Sequence, residues 1–234
     1  MRGIFYGVGV GPGDPELLTL KAVQVIQAAD VIIAPKTEKK EDSVALTIAR
    51  PFLKAEADIV KLVFPMVSHA DTLEEAWENN RQIIAGLLDE GKKVVFLTLG
   101  DPMFYSTYIY VYRLIAGAGY SVETVPGVPA FCAIGSKLGY PIVEGDNILS
   151  IIPATMAEEK LDKILAVADH AVLMKVYKNF PQVLTKLKEH GFLEQGVMIS
   201  RCGLQDEEVH WLKDLDSETR PNYLSTILTR RKQE

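Results

Sequence analysis

Apolar and polar positions along the chain alternate between strand-like and helix-like runs. Ile4 to Val10 is an apolar stretch broken only by glycines and reads as a buried strand. Leu17 to Ala29 has helical spacing, Val31 to Ala34 is a second short buried strand, and Ser43 to Leu53 is helical again. The clearest helix is Asp71 to Asp89. Its apolar residues recur at Leu73, Trp77, Ile84 and Leu88, Asp71 with Glu74 forms a capping-box variant, and Gly91 supplies the stop. Lys93 to Leu99 is nearly continuous in its apolar core, which suits a central parallel strand covered on both faces.

A helix begun near Ser106 ends at Gly117-Ala118-Gly119, and strand patterns become more frequent beyond it. They fall at Ser121–Val125, Ile148–Ile152, Ala171–Val176, Val197–Ser200 and Leu224–Thr229, with helices at Ala130–Leu138, Glu158–Val167 and Pro181–His190. The class is α/β throughout. The pattern predicts an N-terminal α/β domain over 1–118, its mostly parallel sheet covered by helices on both faces. A C-terminal α/β domain with a mixed sheet is predicted over 119–234. The charged run from Lys36 to Asp42 reads as a solvated loop, and no repeat or low-complexity linker is visible.

Composition narrows the functional classes. The 234 residues are 48% hydrophobic and 24% charged, ordinary for a globular protein, and the net charge of -6 argues against a nucleic-acid binder working by phosphate neutralisation. The only cysteines, Cys132 and Cys202, form no CxxC pair, so a reduced, cytoplasmic setting is expected. No apolar run is long enough to span a bilayer, and the N-terminal residues lack a secretory pattern; no membrane partner is expected. His69, His170, His190 and His210 are scattered without ligand spacing, so no protein-bound metal is expected.

Candidate chemistry lies in two turns. Gly11-Pro12-Gly13-Asp14 follows the first strand, and Thr98-Leu99-Gly100-Asp101-Pro102 follows the Lys93–Leu99 strand. Glycine and proline at strand ends let the backbone bend sharply and approach a ligand, and open α/β sheets bind ligands beyond their carboxyl strand ends. The glycines fail the G-x-G-x-x-G spacing of a dinucleotide site, no lysine completes a phosphate loop, and no G-x-S-x-G elbow appears.

The ordered motifs resemble the tetrapyrrole methylase family, the S-adenosylmethionine-dependent enzymes of cobalamin and siroheme synthesis. The resemblance rests on Tyr6 to Asp14 with Leu17 to Ala22, on Leu97 to Tyr105, on Val125-Pro126-Gly127 and on Val172-Leu173-Met174-Lys175. Within the family the chain is most similar to the C20-methyltransferases of precorrin-2 and cobalt-factor II, through Ser43 to Leu46, Phe64-Pro65-Met66, Gly100 to Thr107 and Ile151 to Thr155. One departure is Pro129, where relatives usually carry a small hydroxyl residue.

The resemblance implies two domains with the cofactor S-adenosyl-L-methionine in a cleft between them. It implies cofactor contacts from Pro12, Leu99, Gly100, Asp101, Phe104, Pro129, Ala130, Met174 and Cys202. The substrate would be a reduced tetrapyrrole bearing several carboxylates, met by Lys175, Lys178 and Arg201, with Lys36, Lys39 and Lys40 as further cations. Asp101, Lys175 and Tyr223, all at expected strand ends, are the candidates to face the reacting carbon, with Tyr105 as a fourth. A homodimer is expected because relatives commonly pair. The alternatives are methylation of another tetrapyrrole position or of a non-tetrapyrrole substrate on the same fold. A non-catalytic small-molecule binding protein is a reading from a different class.

Overall fold

The structure, a computed structural model, describes residues 2–36, 43–65 and 70–232, with side chains from residue 74 in the last stretch. Lys39, Lys40, Met66 and the Asp71 end of the expected capping box lie outside the described residues or side chains. Contacts divide the chain into two units, Met1–Pro129 and Ala130–Glu234.

The first unit is built on β1 (Ile4–Gly9), β2 (Val31–Lys36), β3 (Asp58–Val63), β4 (Lys93–Thr98) and β5 (Ser121–Val125). They form one sheet in the order β3-β2-β4-β1-β5, and every pairing is parallel. Four helices connect them: α1 (Leu20–Gln27), α2 (Val44–Ala49), α3 (Ala70–Asp89) and α4 (Tyr108–Gly117). Phe5, Val31, Ile33, Val94 and Phe96 turn one face toward Ile84 and Leu88 of α3 and Tyr108, Val111 and Ile115 of α4. Ile32, Val95 and Leu97 alternate onto the other face and are also fully buried. No residue of α1 or α2 joins the α3–α4 cluster, and these helices contact β1 and β4, so they cover that second face. Burial on both faces is why the central strands read as unbroken apolar runs.

Local chemistry sets the element ends. The Thr19 hydroxyl accepts from Ala22 N–H at 3.1 Å and starts α1 at Leu20, three residues after the expected start at Leu17; Pro15–Leu17 is a separate 3-10 turn. Ser43 caps α2 in the same way, and Pro51 lies in a 3-10 turn that follows Ala49, so the expected helix to Leu53 is two pieces. β3 has no counterpart among the strands that the apolar pattern predicts: as an edge strand carrying Asp58 and Lys61 it lacks a continuous apolar signal. The junction expected at 118/119 falls instead at 129/130. Gly119, at φ 80°, closes α4, and β5 then completes the first sheet, paired with β1 from Ile4↔Ser121 to Val8↔Val125.

The second unit contains α5 (Ala130–Leu138), β6 (Leu149–Pro153), α6 (Glu158–Val167), β7 (His170–Met174), α7 (Phe180–Glu189), β8 (Val197–Ser200), β9 (Glu208–Trp211) and β10 (Ser225–Arg230). The sheet order is β6-β7-β10-β8-β9, with β6 and β7 parallel and the other neighbours antiparallel. Leu161 and Leu165 of α6 and Val183 and Leu187 of α7 pack with Ile152, Leu173, Met198 and Ile227 of the sheet. Met174 pairs with Thr226, and Ser200 pairs with both Ser225 and Glu208. The ends of β6, β7 and β8 and the starts of β9 and β10 therefore share one rim.

Candidate active site

In the first sheet β1 connects toward β2 and β4 connects toward β5, in opposite directions along the sheet. The carboxyl ends of these adjacent strands form a topological switch point, where open α/β sheets bind ligands. The two turns singled out in the sequence meet there. Gly100 N–H donates to Gly11 O at 2.8 Å, Gly11 N–H returns a bond to Gly100 O at 3.3 Å, and Val10 N–H donates to Thr98 O at 2.9 Å. Gly11 at φ 75° and Gly100 at φ 69° occupy left-handed backbone that other residues adopt only with strain.

A third loop, after β5, closes on the same point. A Cβ on Gly127 would stand 2.2 Å from Gly100 O, and one on Gly9 would stand 2.6 Å from both Gly100 O and Gly127 N. Asp101 fastens this crossing. Its Oδ2 accepts from Gly127 N–H at 3.0 Å and its Oδ1 from Met103 N–H at 2.8 Å. A single carboxylate thus fixes the loops after β4 and β5 against each other. Pro129 lies 4.0 Å from the position of a Cβ on Gly100. Phe104 is half-buried, with its ring edge-on to Tyr105 at 4.9 Å. Tyr105 holds φ 49° and is 43% exposed, a non-glycine in strained backbone beside the turn. Pro12, Leu99, Gly100, Asp101, Phe104 and Pro129 thus all lie in the loops that meet at this switch point.

The rim of the second unit carries the remaining candidates. Met174 ends β7, and Lys175 follows at φ 61°. Tyr177 and Tyr223 pack edge-to-face at 5.1 Å, with Lys178 Nζ 5.7 Å from the Tyr177 ring. Tyr223 is 62% exposed just before β10. Arg201 follows β8 at φ 56°, donates its N–H to Leu224 O at 2.9 Å and pairs through Nε with Asp206 Oδ1 at 2.5 Å. Cys202 beside it is buried; burial first, and then the charge of Glu207, push its thiol up to about 11. Lys175, Tyr223, Met174 and Cys202 therefore share a rim in one unit, Ala130 opens α5 in the same unit, and Asp101 belongs to the other.

The glycine crossing is a built backbone cradle rather than a pair of ordinary turns, and it leaves one buried polar atom over. Thr98, which closes β4, has its hydroxyl buried without a hydrogen-bond partner among the described residues. Residues 5–216 match the family described as Tetrapyrrole (Corrin/Porphyrin) Methylases. The chain belongs to that family. Among tetrapyrrole methylases it is 33% identical over 236 residues to the cobalt-precorrin-2 C(20)-methyltransferase of Salmonella typhimurium, covering 100% of this chain and 99% of the relative. It is also 33% identical over 234 residues to a Sinorhizobium precorrin-2 C(20)-methyltransferase, covering 97% and 94%. The X-ray structure of a cobalt precorrin-4 methyltransferase superimposes with a TM-score of 0.77 at 23% identity, over 97% of this chain and 94% of that one; it shares the tetrapyrrole methylase fold.

Proposed function

We propose that this protein is an S-adenosylmethionine-dependent C-methyltransferase that methylates C20 of a reduced tetrapyrrole of the precorrin-2 type in cobalamin biosynthesis. The observation that carries this reading is the end-to-end match, at a third identity, to two relatives both named for C20. One of those names specifies cobalt and the other does not, so the proposal covers the metal-free and the cobalt-loaded macrocycle.

The cradle fits the donor. Bound S-adenosylmethionine supplies a methyl group activated on a sulfonium, so the protein's task is orientation more than activation; alignment of this kind is worth up to ~7–11 kcal/mol in favourable systems. In the proposal Pro12, Leu99, Gly100, Asp101, Phe104 and Pro129 hold the donor by backbone approach and an apolar wall. Ala130, Met174 and Cys202 are further cofactor contacts carried by the family resemblance. Pro129 replaces a usual hydroxyl, which leaves backbone atoms to make any polar contact at that position. Both Asp101 oxygens already accept backbone N–H groups, which favours a holding role for it. Lys175 and Lys178 are proposed to meet substrate carboxylates and Tyr223 to lie against the macrocycle. The proton lost from C20 goes to water. A cytoplasmic homodimer belongs to the same proposal and is checked by fractionation and sedimentation.

The test incubates the protein with isotope-labelled donor and, side by side, precorrin-2, cobalt-factor II and uroporphyrinogen, with products analysed by mass spectrometry and NMR. One labelled methyl at C20 of either of the first two is expected. Methyl on any other carbon, or donor binding with no transfer to any of the three, overturns the reading.

A further inference from the structure

The loop after β8 carries an internal fastening. Glu207 is only 14% exposed at its side chain although it lies in an acidic run, Asp206-Glu207-Glu208. Its Oε2 accepts from Gly203 N–H at 2.6 Å, and its Oε1 pairs with Lys137 Nζ of α5 at 2.6 Å. The Cys202 thiol lies near the same carboxylate, whose charge helps to raise it. Gly203 sits at φ 77°, so its N–H is turned out of any strand ladder and needs an acceptor from elsewhere. Burial alone would raise the Glu207 carboxyl, but the Gly203 N–H, Lys137 and the thiol outweigh it and hold the group below its usual range.

Two bonds thus converge on one carboxylate. They tie the loop bearing Cys202 to the helix opened by Ala130, and both of those residues are proposed cofactor contacts. The arrangement parallels Asp101 in the first unit, where a carboxylate also holds a glycine N–H beside cofactor residues. We propose that Glu207 is a positioning residue, braced by Lys137, that sets the Cys202 segment in its cofactor-binding geometry. This rests on the methyltransferase reading and on Cys202 as a cofactor contact.

The test compares the whole protein with Glu207→Ala, Glu207→Gln and Lys137→Met. The readouts are KM for the donor, kcat, affinity for S-adenosylhomocysteine by calorimetry, and iodoacetamide labelling of Cys202 with Cys132 as internal reference. Glu207→Ala should raise the donor KM and weaken S-adenosylhomocysteine about tenfold, the scale of one lost charge-assisted hydrogen bond, with kcat within about twofold. Glu207→Gln, which still accepts from Gly203, should recover part of that loss, and Lys137→Met should fall between. In Glu207→Ala, Cys202 should label faster and Cys132 unchanged, and S-adenosylhomocysteine should shield Cys202. Shielding with unchanged KM and affinity overturns the positioning role alone. Absence of shielding overturns the assignment of Cys202 to the cofactor, and this proposal with it. Failure of the parent protein to bind S-adenosylhomocysteine overturns the methyltransferase reading itself.

Discussion

Asp101 concentrates the residue-scale physics of the first unit. A carboxylate accepting two backbone N–H groups makes charge-assisted bonds, stronger than neutral ones, and here they hold two loops that carry no regular structure of their own. Asparagine preserves the shape but offers one oxygen and one NH2, so one of the two N–H groups faces a donor. Losing that bond costs about 1.5–3 kcal/mol where the acceptor is charged. Asp101→Asn is therefore expected to raise the donor KM more than it lowers kcat, and steady-state kinetics at varied donor concentration separate the two. A kcat collapse at unchanged KM would instead mark Asp101 as the group that takes the proton. The same reasoning explains why Gly127 has no room for a side chain: its missing Cβ is what lets Gly100 O approach.

At the scale of elements, α3 offers a clean measure of propensity. Gly86 lies exposed in the last turn of this helix, and a Cβ there would meet nothing within 4 Å. Glycine inside a helix costs about 0.5–1 kcal/mol relative to alanine through backbone entropy. Gly86→Ala should raise the melting temperature by about 1–4 °C for a chain of this size, with activity unchanged, as differential scanning fluorimetry and an assay would show. Elements of this kind, and the buried central strands, were legible in the sequence because one face or both faces must be apolar along their whole length. The edge strands β3 and β9 were not, since solvent on one side admits Asp58 and Lys61 in the first and Glu208 and His210 in the second. The site divided on the same principle. Gly11, Gly100 and Asp101 announced themselves because strand-end turns leave a local signature. Glu207, whose partner Lys137 lies far away in the chain, left none. Arg201 reads as a free cation in sequence and is paired with Asp206 in the fold, a contact no local pattern encodes.

Over the whole molecule, buried phenols set an alkaline limit. Burial pushes Tyr140 up to about 12 and raises Tyr108 as well, against an ordinary 10.0. A folded-state value above the unfolded one means the folded protein keeps its proton longer. The associated stability is fully present below about pH 10 and is lost as pH rises from there toward 12. Urea midpoints should accordingly fall over that interval, and Tyr140→Phe should start lower but decline less steeply. Tyr108 also decides where the first unit ends. Its hydroxyl lies 2.7 Å from Thr124 Oγ1 of β5 within a fully buried ring, and β5 covers the open edge of β1 from Ile4 to Val8. A fragment ending at residue 118 would strand that hydroxyl without its partner, expose an apolar edge strand and remove the Gly127 N–H that Asp101 holds. Buried polar groups without partners cost about 1–3 kcal/mol each, and an unpaired inner strand invites aggregation. The fragment 1–129 should therefore unfold in one cooperative transition by circular dichroism, whereas 1–118 should be insoluble or melt without cooperativity. Equal solubility and equal melting of the two fragments would show that β5 is dispensable to the first unit and return the junction to the glycines after α4.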